Sequence, residues 1–197
     1  MHLWLSPHDS RIRALGTQGA QGELDYGFAQ TPFGGCLALM TGSHLLAFYF
    51  TEEREAGVAA LRNKWPDTTL RPSAVVDDVI TRVFEQPETL SAIPLMAIGT
   101  PFQLTVWEYL CGIPEGSTLT YGEVAKAIGR PTAARAVGQA VGANEISILI
   151  PCHRVVSQGK LRGKSGGKLG GYRWGVERKK SLLAWELSRK DPLVMPF

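Results

Sequence analysis

The sequence predicts a mixed α/β (α+β) protein in two parts: a small N-terminal strand-and-helix unit, then a mostly helical domain containing a helix-turn-helix. Three observations predict it. Three short apolar runs separated by turn residues lie between Tyr26 and Thr51. Two capping boxes punctuate the chain after residue 99. The charge also divides there: residues 1–98 carry 7 Lys/Arg against 11 Asp/Glu (net −4), and residues 99–197 carry 14 against 7 (net +7). The overall +3 of the 197 residues conceals this, and between Lys126 and Lys180 there are 12 basic residues and two acids, Glu145 and Glu177. A basic half of this kind fits a polyanionic partner; the bland alternative is a solvated basic face.

Residues 1–24 show no sustained periodicity, contain Gly16, Gly19 and Gly22, and are expected to form an irregular extension. The N-terminal α/β domain is expected over residues 25–90. Its strands are predicted at Tyr26–Gln30, Cys36–Thr41 and Leu45–Thr51, with Gly42-Ser43 as a hairpin turn. The run Leu45 to Phe50 is apolar on both faces, as a central strand requires. Helices follow at Glu53–Lys64, with Val58, Leu61 and Trp65 inward, and at Val75–Phe84, with Val76, Val79, Ile80 and Val83 at helical spacing. Residues 91–98 read as a linker.

The second domain is expected over residues 99–190, with a tail at 191–197. Thr100-Pro101-Phe102-Gln103 is a capping box with Pro at the first helical position, opening a helix that turns Phe102, Val106, Trp107 and Leu110 inward. Thr120-Tyr121-Gly122-Glu123 is a second box; its short helix stops at Gly129-Arg130-Pro131. A further helix runs from about Thr132 to Gly142. Two helices joined by so short a turn form a helix-turn-helix, a unit used both for DNA contact and for plain packing. Arg135 lies one turn into the second helix among small side chains, and the surrounding basic excess favours DNA.

Several classes drop out. Met1 to Arg13 contain no apolar core for a signal peptide, and no apolar stretch reaches membrane-spanning length. Cys36, Cys111 and Cys152 are too few and too far apart for a disulfide framework or a zinc site, and the four histidines form no ligand pair. The expectation is a cytoplasmic protein with no metal and no cofactor. Ile146–Ile150 reads as a short buried strand ending at Pro151-Cys152-His153-Arg154-Val155-Val156. A free cysteine is most often a small buried hydrophobe. Here a Pro-enforced turn presents it, and His153 and Arg154 are neighbours able to favour the thiolate, the nucleophilic form.

The segment Ile150-Pro151-Cys152-His153-Arg154-Val155 resembles the active-site motif of the O6-alkylguanine-DNA alkyltransferases. The resemblance spans roughly residues 26–188 and continues in family order. It includes Gly99-Thr100-Pro101-Phe102-Gln103, Val106-Trp107, Ile113-Pro114, Thr120-Tyr121, Ala133-Ala134-Arg135-Ala136-Val137-Gly138, Asn144, Gly171-Tyr172 and Glu186. It implies a ribonuclease-H-like N-terminal sheet and a specific chemistry. Cys152 would accept the alkyl group. His153 would take the thiol proton through an ordered water, and Glu186 would orient His153 from a helix face shared with Val176, Leu183 and Leu187. Asn144 would brace the turn, and Tyr121 would donate a proton or hydrogen bond to the departing guanine. Arg135 would fill the space left by a flipped nucleotide, with Thr120, Ala133, Ala134 and Gly138 close to DNA in a minor-groove approach. Val155, Tyr172, Arg173 and Trp174 would line the substrate pocket. The implied partner is double-stranded DNA carrying alkylated bases, met by a monomer.

The sequence departs from the family in two places. Glu145 stands where Pro usually follows the Asn. Ser157–Gly171 is about twice the expected loop length, with six Gly, four Lys/Arg and no acid. Lys160, Arg162, Lys164 and Lys168 either hold DNA phosphate or decorate a tolerated insertion. Two other functions remain alternatives: a non-catalytic alkyltransferase-like lesion binder, which the presence of Cys152 opposes, and a Cys-His hydrolase, which would need neither helix-turn-helix nor basic surround.

Overall fold

The computed structural model describes residues 11–15, 20–157 and 168–190. It divides into two compact units: residues 1–100 with 145–149, and residues 101–144 with 150–197. The first unit is built on a six-stranded mixed sheet. Its strands are β1 (Ile12–Ala14), β2 (Gly22–Thr31), β3 (Gly34–Thr41), β4 (His44–Phe50), β5 (Thr68–Pro72) and β6 (Leu95–Ala97), in the order β1-β6-β4-β3-β2-β5. The β2-β3-β4 meander is antiparallel, while β1 and β4 flank β6 in parallel and β5 adds in parallel to β2. Gly42, at φ 54, makes the tight β3–β4 turn expected from Gly42-Ser43.

The burial pattern explains why these residues form the centre of the sheet. Six consecutive residues of β3, Gly35 to Met40, are buried, as a strand covered on both faces must be. Helix α1 (Arg54–Lys64) buries Val58 and Leu61 with the following Trp65 into the cluster around Leu24, Leu37, Leu39 and Ala47. Helix α2 (Ala74–Glu85) buries Val76, Val79, Ile80, Val83 and Phe84, each worth about 1.5–3 kcal/mol of transfer free energy. A close approach fixes α2: a Cβ on Gly27 would sit 2.5 Å from the Asp77 amide, and the Asp77 carboxylate accepts the Phe28 N–H at 2.8 Å.

Three expectations are corrected. The supposed irregular extension contains β1 and the first residues of β2. Ile12–Ala14 pair with Leu95–Ala97, so a length of three residues hid a strand whose partner is more than 80 positions away. The same pairing places β6 inside the supposed 91–98 linker, after a 3-10 turn at Pro87–Ala92. Ile146–Ile150 is not a strand: only Ile146 bridges, to Phe48, and the chain then turns through Ile148 at φ 67. A wholly buried apolar run cannot be told from a buried turn by hydropathy, and here the local bond Leu149 N–H to Ser147 O (2.7 Å) replaces a ladder. β5 was missed altogether. Glu145, in the position usually held by Pro, belongs to this unit: its carboxylate accepts the Tyr49 hydroxyl and pairs with Lys64 at 2.9 Å.

The second unit contains α3 (Pro101–Cys111), a two-stranded parallel sheet of β7 (Leu119–Thr120) and β8 (Val155–Val156), α4 (Tyr121–Ala127), α5 (Ala134–Gly142) and α6 (Val176–Lys190). Helix α3 buries Val106, Trp107 and Leu110, with Phe102 half-buried, and the Trp107 indole N–H donates 2.8 Å to Ala140 O on α5. The capping box at Thr120 is complete. Its hydroxyl accepts the Glu123 N–H at 3.1 Å, and the Glu123 carboxylate accepts the Thr120 N–H at 2.7 Å. On α6 the inner face is Lys179, Leu182, Leu183 and Glu186; Val176, expected inward, is 43% exposed, and Leu187 is half-buried. No helix among the described residues is long and apolar enough to cross a membrane.

Candidate active site

Cys152 opens a single 3-10 turn, Cys152–Arg154, directly before β8. Pro151 precedes it, and the short bonds Cys152 N–H to Ile150 O (2.7 Å) and Arg154 N–H to Pro151 O (3.0 Å) fix the turn. The thiol is buried, at 3% residue exposure. Asn144, also buried, bridges two points of this turn, its Nδ2 donating to Ile150 O at 3.0 Å and to Cys152 Sγ at 3.2 Å.

The electrostatics correct one expectation. Burial pushes the Cys152 thiol up to about 11, although the Asn144 hydrogen bond, the Lys179 charge and backbone N–H groups pull the other way. Burial is the largest of these effects and favours the thiol over the thiolate. The Arg154 guanidinium is turned to other partners. Its Nε lies 3.0 Å and its Nη2 2.9 Å from Glu186 Oε1, while Nη1 donates 2.5 Å to Ile113 O. Its charge is committed to the carboxylate.

Glu186 gathers the rest. Its carboxylate accepts from His153 Nε2 at 2.6 Å, from Arg154, and from the Gly116 N–H at 3.0 Å. Burial would push this carboxyl up, but the His153 and Arg154 charges and hydrogen bonds outweigh it and hold it at about 2. An ionised carboxylate only accepts, so Nε2 of His153 carries the hydrogen. The ring's other nitrogen, Nδ1, is buried without a hydrogen-bond partner among the described residues. Asn144 holds the Cys152 sulfur, and His153, Glu186 and Arg154 form one hydrogen-bonded chain within the same unit.

Comparison with known proteins accords with this geometry. A family model described as 6-O-methylguanine DNA methyltransferase, DNA binding domain, matches residues 101–188. The methylated-DNA–protein-cysteine methyltransferase of Mycobacterium tuberculosis is 44% identical over 129 residues, 65% of this chain and 73% of that protein. The chain belongs to the O6-methylguanine-DNA methyltransferase family. The crystal structure of Mycobacterium tuberculosis OGT in complex with DNA is similar at TM-score 0.64 and 34% identity, covering 84% of this chain and 94% of that one. The regulatory protein ada of Salmonella typhimurium is 36% identical over 170 residues, 84% of this chain but 46% of its own length. The chain thus spans about half the length of the ada-type relatives it matches.

Within the methyltransferase-family unit, the other sequence-derived residues fall as follows. Tyr121, first residue of α4, is half-buried, and its phenol is raised by burial and by the Cys152 charge, which keeps it a donor. Gly138 packs on its ring; a Cβ there would lie 3.8 Å away. Arg135 is exposed on α5, with Ala133 as that helix's N-cap and Ala134 as its first residue. Val155 is buried in β8, Tyr172 and Trp174 meet edge to face at 5.2 Å, and Arg173 is exposed with its guanidinium 5.9 Å from the Trp174 ring. Lys168 is exposed; Lys160, Arg162 and Lys164 lie outside the described residues.

Sequence reading missed two members of the site. Arg154 was noted as a neighbour of Cys152 but not as a ligand of Glu186. Lys179, fully buried, was passed over entirely. Its signal was present: Lys179, Leu182, Leu183 and Glu186 repeat at i, i+3, i+4 and i+7, so the lysine shares the apolar stripe with the glutamate. Among the described residues no cluster of three or more His, Cys, Asp or Glu is placed to hold a metal.

Proposed function

We propose that this protein repairs DNA by direct reversal, transferring the O6-alkyl group of guanine (or the O4-alkyl group of thymine) irreversibly to Cys152. The observation that carries the reading is a buried Cys152 thiol next in sequence to a His153–Glu186–Arg154 chain whose imidazole Nδ1 has no hydrogen-bond partner among the described residues. His153 Nδ1 takes the thiol proton through a water molecule, Glu186 stabilises the resulting imidazolium, and Arg154 holds Glu186 in place. Sγ attacks the alkyl carbon in line; the S–C bond forms as the C–O6 bond breaks. Guanine leaves with that electron pair and gains a proton at its ring, for which the Tyr121 hydroxyl is the donor. Asn144 holds the sulfur to its turn throughout. Since the product thioether has no bond that water readily cleaves, each molecule acts once.

A thiol this buried cannot reach a stacked base, so the nucleotide must be rotated out of the duplex, at a cost of a few kcal/mol that a damaged pair reduces. Exposed Arg135, with Ala133, Ala134 and Gly138 around it, suits a minor-groove approach in which the arginine occupies the emptied position. Thr120 and the basic loop residues would then meet phosphate. Tyr172, Arg173, Trp174 and Val155 would bound the alkyl pocket. The protein acts as a monomer in the cytoplasm, at the nucleoid.

The test uses a duplex oligonucleotide containing O6-methylguanine and intact-protein mass. A gain of one methyl group on the wild type, absent in Cys152→Ala, is the expected result. Binding without a mass change would instead make this a lesion binder, and multiple turnovers would make it a hydrolase.

A further inference from the structure

The chain leaves the second unit after Asn144 and re-enters it at Ile150; the intervening residues, Glu145–Leu149, belong to the first unit. The two ends of this excursion are tied to each other. Asn144 Nδ2 donates to Ile150 O at 3.0 Å, beside its bond to Cys152 Sγ at 3.2 Å. The first unit holds the excursion at its start, middle and end. The Glu145 carboxylate accepts the Tyr49 hydroxyl from β4 and pairs with Lys64 Nζ, at the end of α1, at 2.9 Å. Glu145 O accepts the Phe48 N–H at 2.9 Å, and the Ser147 N–H donates to Phe48 O at 3.0 Å. Arg11 Nη1 donates to Leu149 O at 3.2 Å.

These contacts hold a shape that the backbone does not choose by itself. Ile148 sits at φ 67, which a β-branched side chain resists and which persists only where the surroundings over-determine it. A proline at position 145 would fix its own φ and confine the backbone of Asn144; a glutamate does neither. Its carboxylate supplies what its backbone lacks. The side chain is only 22% exposed, and one oxygen, Oε2, receives both a strand hydroxyl and a helix-terminal ammonium. An exposed ion pair alone contributes little. Here the hydroxyl completes it, and the backbone of the same residue is paired to Phe48, so Glu145 is held at both ends of its side chain.

We propose that Glu145 is a positioning residue for the alkyl-acceptor turn: anchored by Tyr49 and Lys64, it sets the backbone at Asn144, which in turn holds Ile150 O and the Cys152 sulfur. This rests on the alkyl-transfer reading and adds to it a residue that acts only through Asn144. The effect is one of geometry. Misplacing a group that orients a nucleophile by about 1 Å costs up to about 100-fold in rate, and Glu145 is bonded directly to the residue whose amide reaches the sulfur. The carbonyl that pairs with Phe48 survives in a proline, whereas the carboxylate contacts do not. Proline and anchored glutamate are therefore two separable ways of holding the same turn.

The experiment compares wild type, Glu145→Ala, Glu145→Pro, Tyr49→Phe and the Tyr49→Phe/Glu145→Pro double variant in the full chain. Single-turnover methyl transfer from a saturating O6-methylguanine duplex is followed by intact mass, beside duplex affinity. Thermal unfolding establishes that each protein is folded at the assay temperature. Glu145→Ala is expected to slow transfer on the order of tenfold, with affinity within about threefold of wild type. Glu145→Pro should keep the transfer rate within about threefold, although it loses the same contacts to Tyr49 and Lys64. A carboxylate that merely stabilised the fold would leave both variants equally impaired. Tyr49→Phe keeps the ring packed on the core cluster and removes only the hydroxyl. It should slow transfer when made alone and have no effect beside Glu145→Pro. A Glu145→Ala protein with the wild-type rate, a Glu145→Pro protein as slow as Glu145→Ala, or a Tyr49→Phe loss that is the same in both backgrounds overturns the proposal. The alkyl-transfer reading is judged separately, by whether wild type gains a methyl group at all.

Discussion

A single carboxylate, Glu186, satisfies donors from two segments: His153 and Arg154 in the cysteine turn, and the Gly116 amide of the loop before β7. Because its folded pKa is depressed to about 2 from 4.5, its contribution to stability is complete above about pH 4.5 and is lost as pH falls through about 2. Glu186→Gln removes this portion. At neutral pH the variant should be less stable by a few kcal/mol, since Arg154 loses its counter-charge and His153 a charged acceptor. On acidification its urea midpoint should fall less than that of wild type, so the two curves converge; curves that stay parallel from about pH 7 to about pH 3 would contradict the assignment. The same variant should slow methyl transfer, because the amide oxygen that replaces the carboxylate accepts from His153 without the negative charge that stabilises an imidazolium. In the sequence Cys152 and His153 stood out as an adjacent pair after Pro151, whereas Glu186 was reached through the family resemblance, on a helix face shared with apolar residues. Lys179 was reached by neither route, since a lysine on a helix reads as solvated until its seven-residue spacing from Glu186 is set against burial.

At the level of elements, α4 shows how local chemistry places a site. Its seven residues are too few to be stable alone, and the Thr120–Glu123 box is what starts it one residue before Tyr121. Thr120→Ala should cost about 1 kcal/mol in chemical denaturation. Glu123→Ala should cost a similar amount, and the double variant less than the sum, because each partner satisfies the other. Additive losses would mean the box is not reciprocal in solution. Elements with this kind of punctuation, α4 and the Gly42 hairpin, could be read from sequence to within a residue or two. β1, β5 and β6 could not. Each is three to five residues long, and each pairs in parallel with a partner distant in sequence, so neither alternation nor a turn signal marks it. The Ile146–Ile150 segment failed for a different reason: Ile148 at φ 67 is a conformation that the residue type argues against.

Across the whole chain, charge is the property the sequence displayed most plainly and the one whose consequence is most directly measurable. A surface that neutralises phosphates releases counterions, so the logarithm of affinity falls with the logarithm of salt by about 0.9 per contact. If the excess between Lys126 and Lys180 is a DNA footprint, single reversals to Glu at Lys160, Arg162, Lys164 or Lys168 should each weaken duplex binding and flatten that slope by about one. Lys168 is the most informative of the four: its carbonyl is fixed by Ser157, while its side chain is exposed, so reversal changes charge without removing that bond. The controls belong in the acidic half. Arg54 and Arg62 are exposed on α1, and their reversal should leave the slope unchanged. Arg71 makes a poorer control, because it pairs with Glu23 at 2.7 Å and Asp25 at 3.0 Å, and an acid there would repel both. Its reversal should lower stability rather than affinity. Equal salt slopes for Lys168→Glu and Arg54→Glu would reduce the basic half to a solvated face, and would leave DNA capture to Arg135 and the small residues around it on α5.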